Sequence, residues 1–207
     1  AAAPAAEGAD PIAVQDNIVA WDRDWQFPAI TEQHAFHRMR DIGAVPDGMT
    51  YVAYPWATLV DKIQARARDG RQHLEAFRRF CARLPADTLK VTVCQHILMR
   101  HYLWLFREAG IGVVFWPHAT RQDVAAGNTA APGELSLHPF PLYPVQVPET
   151  AEAEPRRWLF SFVGAKPNTV YLTRAREWIL ERLAEHPRGL VVGRDGWHYD
   201  RIVYEHQ

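Results

Sequence analysis

The chain has 207 residues, 48% of them apolar and 23% charged, with a formal net charge of −1. That length allows one large domain or two small ones, each able to bury a core. The charge balance offers no electrostatic footprint for nucleic acid or an anionic lipid surface, and no apolar run approaches the ~20 residues of a transmembrane segment.

The opening AAAPAAEGAD has neither the basic nor the apolar region of a signal peptide, and residues 1–15 read as a flexible N-terminus. A first Rossmann-like domain is assigned to 16–146. Within it, MTYVAYP (49–55) reads as a strand stopping at Pro55, and WATLVDKIQARARDG (56–70) as a helix closed by Gly70. LEAFRRFCARL (74–84) puts Leu74, Phe77, Cys81 and Leu84 on one helical face, ended by Pro85. LKVTVCQH (89–96) is a strand that runs into a helix, ILMRHYLWLFREAG (97–110), with Leu98, Tyr102, Leu105, Phe106 and Ala109 as its apolar stripe. IGVVFWPH (111–118) is apolar nearly throughout, as expected of a parallel strand covered on both faces. Strands alternating with helices of this length predict an open, doubly wound α/β sheet. Ligands of such sheets bind beyond the carboxyl ends of the strands. Two polar clusters fall there, Cys94-Gln95-His96 and the run 117–122.

HPFPLYPVQ (138–146) joins three prolines to Phe140, Leu142, Tyr143 and Val145. Proline fixes φ and lacks the backbone N–H, which excludes an interior helix or a central strand. The apolar side chains do not suit a solvated loop. The stretch reads as a stiff extended strap leaving the first domain. The acidic, proline-bearing run 147–156 reads as a linker. The pattern restarts in a partial second domain, 157–207. There WLFSFVGA (158–165) is a strand, LTRAREWILERLAEHP (172–187) a helix with Leu172, Ala175, Ile179 and Leu183 on one face, and GLVVG (189–193) a further strand.

Gly164 stands between a strand and a helix, with Lys166, Arg174 and Arg176 nearby. A helix N-terminus with cations beside it is a place for a phosphate. One glycine is neither a Walker loop nor a dinucleotide fingerprint, and an ordinary βα turn with solvated basic residues has the same pattern. Of ten histidines, His96 and His118 fall at predicted strand ends, where a general base could stand. No HExxH or CxxC spacing occurs, so a zinc site is not expected. There is no GxSxG elbow. Cys81 and Cys94 read as buried free thiols, and two cysteines make no disulfide framework, so a reducing cytoplasm is the expected setting. Asp195, Trp197 and His198 combine an acid, an aromatic ring and an imidazole, a composition that suits sugar or base recognition or a surface turn anchored by Trp197. The high aromatic content, eight tryptophans among it, is read as core.

CQH at 94–96, FWPHAT at 115–120, HPFPLYPVQ at 138–146, FSFVGA at 160–165 and GRDGWHYDRIVYEHQ at 193–207 resemble, in order, the bacterial exostosin-like glycosyltransferases of the exostosin domain family, glycosyltransferase family 47. The resemblance implies a GT-B fold, two Rossmann-like domains facing across a cleft. It implies inverting transfer of a sugar from a nucleotide-sugar donor to a glycan or lipid-linked glycan acceptor, without a metal or other cofactor, in the synthesis of bacterial surface polysaccharide. It implies that the first domain supplies the acceptor side and the base; position at the strand ends marks His96 or His118 for that role, with Asp123 as an alternative, and Gln95, Thr120, His138 and Tyr143 are assigned to the cleft. It implies a nucleotide diphosphate site in the second domain, and the strand–glycine–helix pattern there assigns Gly164, Ala165, Lys166, Arg174, Arg176 and Arg194 to it. Members of the family continue with a serine- and glycine-rich donor segment, an acidic residue on the next helix and a GxIPV-like strand. None of these is found in 157–207, which holds about one βαβ unit, so the chain is expected to be the front part of a longer enzyme or a shortened relative. Two other classes stay open: a non-catalytic carbohydrate- or partner-binding module built on this fold, and another nucleotide-binding α/β enzyme.

Overall fold

Short runs rich in Val, Ile and aromatic residues fit a pleated, buried surface, and here they pair side by side. β1 (Ile12–Gln15) and β2 (Ile18–Trp21) form an antiparallel hairpin. Its two-residue turn places Asp16 and Asn17 at φ 40° and 64°. Those are the left-handed conformations that a tight hairpin of the favoured twist requires, and Asp and Asn tolerate them. β2 is followed by β3 (Met49–Ala53), β4 (Leu89–Val93), β5 (Ile111–Trp116) and β6 (Ser136–Pro139), each parallel to the one before. This computed structural model describes residues 12–27, 29–129, 131, 133–143, 157–169, 171 and 173–195. The chain divides into two units, 1–145 and 146–207.

Successive strand residues point to opposite faces, and both faces of the sheet are apolar. On one face Val19, Val52, Tyr54, Val114 and Trp116 pack with Trp56, Leu59 and Val60 of α2 (Trp56–Gln64), Phe77 and Phe80 of α3 (Gly70–Cys81), and Leu105 and Phe106 of α4 (Leu103–Glu108). On the other, Ile18, Ala20, Tyr51, Ala53 and Val93 receive Ala35 and Phe36 of α1 (Thr31–Ile42). α5 (Arg121–Asn128) joins β5 to β6. The result is a mixed α/β unit with a five-strand parallel sheet, consistent with a Rossmann-like fold. The second unit holds β7 (Phe160–Ala165), α6 (Ala175–Leu183) and β8 (Gly189–Arg194), with β7 parallel to β8. That is one βαβ unit. Among the described residues no helix is long and apolar enough to cross a membrane.

Several expectations change. The doubly wound order is absent: β2 to β6 follow chain order with no reversal. Alternating elements reveal βαβ units but not the direction of each step across the sheet. β1 occupies part of the stretch read as a flexible terminus. Gly70 does not cap a helix over 56–70. The helix ends at Gln64, and Gly70 opens α3. A Cβ there would stand 3.0 Å from the Lys62 carbonyl oxygen, so the close return of the chain favours a glycine. The helix read over 97–110 is a 3-10 turn, Met99–Tyr102, followed by the short α4. The helix over 172–187 contracts to Ala175–Leu183. The linker 147–156, Leu172, Trp197 and His198 lie outside the described residues. The first residues of HPFPLYPVQ end β6, an edge strand, the place in a sheet where a proline such as Pro139 is tolerated.

One buried polar contact locks α2 to the sheet. The indole Nε1 of Trp56 donates to the Thr92 hydroxyl at 2.8 Å, and that hydroxyl donates to the Val52 carbonyl. Trp56 and Thr92 are wholly buried. Thr92→Val keeps the shape and orphans the indole N–H, which should lower stability by about 1–3 kcal/mol. In urea unfolding, Thr92→Val combined with Trp56→Phe should lose less than the sum of the two single changes.

Candidate functional site

At the carboxyl ends of β3 and β4 an acid sits where no water reaches. Glu32 lies in the first turn of α1 and is 3% exposed. Its carboxyl group accepts from the backbone N–H of Ala57, in the first turn of α2, at 3.2 Å and from that of Gln95, just past β4, at 2.9 Å. Burial pushes its pKa up to about 8, against the pull of those N–H groups and of the neighbouring Cys94 thiol. The thiol is itself wholly buried and held well above its ordinary range, first by burial and then by Glu32.

From Glu32 a polar chain runs outward. The Gln95 side chain accepts from the Glu32 N–H at 3.2 Å and donates to the Gln26 side-chain oxygen at 2.8 Å. Gln26 donates to Asp61 of α2 at 2.6 Å. The other Asp61 oxygen stands 2.9 Å from His96 Nε2. His96 Nδ1 accepts from the Leu98 N–H at 3.1 Å, so Nε2 carries the proton and donates to Asp61. Both ring nitrogens of His96 are thus engaged. Trp116 adds a bond from its indole to the His96 carbonyl at 2.9 Å.

The exits of β5 and β6 carry the other residues. His118 lies edge-on to Trp116, ring centres 5.5 Å apart. Burial, then the neighbouring His96, lowers its pKa, so it is neutral near pH 7. Among the described residues its ring nitrogens make no hydrogen bond. Thr120 is the N-cap of α5. Its N–H and hydroxyl each donate to Asp123 at 2.7 Å, and it accepts from the Asp123 N–H at 3.3 Å. Asp123 also pairs with Arg100. Burial alone would raise Asp123, but the Thr120 donors and the Arg100 cation together hold it below the usual carboxylate range. The structure uses this acid as a cap and an ion-pair partner. His138 lies against Phe115. The strap folds over α1: the Tyr143 ring stacks on His34 with centres 3.6 Å apart, and its N–H donates to the Thr31 hydroxyl at 2.9 Å. Phe140 packs edge-on to Phe115 and lies against the second core.

In the second unit the cations gather beyond β7, each with a partner. Lys166 Nζ is 2.6 Å from Asp195, and Arg174 makes a two-point pair with Glu177 at 2.6 and 2.7 Å. Arg176 donates to the Ala165 carbonyl at 3.0 Å and stacks over Tyr171, 4.0 Å from the ring centre. Its guanidinium occupies the space above Gly164, where a Cβ would stand 2.9 Å away. Arg194 ends β8, and its carbonyl accepts from the Lys166 N–H.

The residues brought together are therefore Gln95 and His96, with His118 close by. His138 and Tyr143 lie toward the other face of the sheet, and Thr120 is a helix cap. Glu32, Asp61, Gln26 and Arg100 were missed. A signal for Glu32 was available: it shares a helical stripe with Ala35, Phe36 and Met39, an acid on the apolar face. Among the described residues no three His, Cys, Asp or Glu side chains gather as a metal site.

Glu32 gives a measurable signature. Its folded pKa of about 8 lies above the ordinary 4.5. Between those values the folded protein keeps a proton that the unfolded chain has released. The stability present below pH 4.5 is lost as pH rises through 8, by at most ~1.4 kcal/mol per pH unit. Urea unfolding across pH 5 to 8 should show this fall, and Glu32→Gln should flatten it. Compared with known proteins, the chain matches no family model, no curated protein and no solved structure.

Proposed function

We propose that the chain is the acceptor-side domain and the start of the donor-side domain of an exostosin-like, inverting glycosyltransferase of GT-B type, working in the cytoplasm on surface polysaccharide. The observation that carries this reading is a convergence. CQH follows β4, while FWPHAT and HPFPLYPVQ begin in the last two residues of β5 and β6, so three stretches on which the resemblance rests meet at the carboxyl end of one sheet. In such sheets that end binds ligands. A neutral imidazole with free nitrogens also stands there. In this reading His118 takes the proton of the acceptor hydroxyl. His96 is held by Asp61 and Leu98 and positions its neighbours rather than reacting. The strap holds the wall of the acceptor side by stacking Tyr143 on His34. The donor diphosphate meets the first turn of α6 and the cations beside it.

A specific observation favours a second reading, a carbohydrate-binding module without nucleotide chemistry. Lys166, Arg174 and Arg176 all have protein partners already, so a diphosphate would have to displace Asp195 and Glu177 or make do without those cations.

Thermal unfolding with UDP, GDP, dTDP and CMP, alone and as sugar conjugates, separates the two. A ligand at 100 times its dissociation constant adds ~2.7 kcal/mol, roughly 5–11 °C for a chain of this size. A selective rise with one nucleotide is the expected result. No rise with any nucleotide, together with a rise on adding glycan, would replace the transferase reading by the binding module.

A further inference from the structure

A cleft of about 830 Å³ opens at the amino ends of β4 and β5, the opposite end of the sheet from the cluster around His96. Its wall mixes apolar and polar surface, the apolar part coming from Leu103 of α4, Ile111 of β5, and Leu135 and Leu137 at β6. The size falls within that of small-molecule sites.

Lys90 also lines this cleft. It is 8% exposed, and among the described residues it has neither an ion pair nor a side-chain hydrogen bond. Its stem lies across Gly110, where a Cβ would stand 3.7 Å from the ammonium nitrogen. No fully enclosed side-chain nitrogen or oxygen of the described residues lacks a partner. The unpartnered ammonium must therefore open onto the cleft. The acid among the lining residues, Glu134, accepts from the Ala131 N–H at 3.0 Å and makes no ion pair with Lys90. Arg107, exposed at the rim, adds a second cation.

The strand pairing is irregular at the same place. Lys90 faces Ile111 and Val91 faces Val113, which leaves Gly112 as an extra residue on β5. Such bulges re-aim side chains and favour functional sites. A near-buried cation without a counter-ion is costly unless something supplies one.

We propose that this cleft binds a small amphiphilic carboxylate, its apolar body against Leu103, Ile111 and Leu137 and its carboxylate on Lys90 and Arg107. A charge-assisted bond to the ammonium gives the site its selectivity for an acid over an uncharged chain. The site is independent of the proposed transferase reading, because it shares no residue with it.

Titration calorimetry of the whole chain with octanoate, 4-phenylbutyrate, octan-1-ol and inorganic phosphate tests this. Saturable binding of at least one carboxylate is expected, with octan-1-ol and phosphate weaker by at least roughly tenfold. A preference for octanoate or for 4-phenylbutyrate tells an alkyl from an aryl acid. Lys90→Met, which keeps the stem and removes the charge, should weaken carboxylate binding by a similar factor without lowering the unfolding temperature. Equal binding of octanoate and octan-1-ol, tighter binding of phosphate, or no carboxylate binding at millimolar concentration overturns the proposal. So does unchanged affinity in a folded Lys90→Met protein. Should that variant fail to fold, the comparison of octanoate with octan-1-ol on the unaltered chain decides.

Discussion

The carboxyl group of Glu32 holds three separate pieces of chain at one point. α1 carries it, the first turn of α2 donates to it through Ala57, and the chain leaving β4 donates to it through Gln95. Backbone N–H groups at a helix start and beyond a strand end have no regular partner, and burying them unpaired would be costly. Glu32 supplies the acceptor. With the first turns of α1 and α2 fixed against β4, Asp61 stands where it meets both Gln26 and His96. The hydrogen-bonded chain that makes up the candidate site hangs from this one buried acid. Its own ionisation is suppressed by the burial that makes it useful, so the N–H groups are met by a carboxyl that stays largely neutral near pH 7.

What was legible in the sequence followed from local rules. Strands β3, β4, β5, β7 and β8 announce themselves by β-branched and aromatic runs, and α3 by its apolar stripe. The phenylalanines at 77 and 80 of that helix are among the largest wholly buried side chains. The strap was legible from its prolines, and its meeting with α1 was not, because stacking Tyr143 on His34 joins residues far apart in sequence. Breaks within helices were misplaced where tertiary packing decided them. Gly70 looks like a helix stop by type, yet it begins a helix, at a point where the chain passes close to the Lys62 carbonyl. The acid of the site sits in a helix rich in polar residues, and its partners Ala57 and Gln95 are 25 and 63 positions away. Asp61 and Gln26 became site residues only through partners 35 and 69 positions away.

The two units contrast in how they are held. The first has cores on both faces of its sheet. The second has two parallel strands and one helix, and no residue of α6 is buried. Trp178, Val163 and Val192 are among its exposed large apolar side chains. A parallel sheet ordinarily has both faces covered. Polar contacts therefore carry more of the local order there: Arg176 is clamped between the Ala165 carbonyl and the Tyr171 ring, and Arg174 is fixed by Glu177. Those same cations are the ones a diphosphate would need, so structural and ligand-binding roles compete for them.

The strand order has a kinetic meaning. In the first unit each strand pairs with the one before it in sequence, so the sheet can grow by adding one neighbour at a time. Loop-closure entropy is then met in modest steps, and folding speed tracks the sequence distance of the contacts that must form. The bond from the Tyr143 N–H to Thr31 is different in kind, for it spans 112 positions. It can close only after β6 has docked and α1 has its first turn in place. Loop-closure entropy over such a span exceeds that of any single step between neighbouring strands, so the strap joins α1 to β6 at a cost the rest of the sheet does not carry.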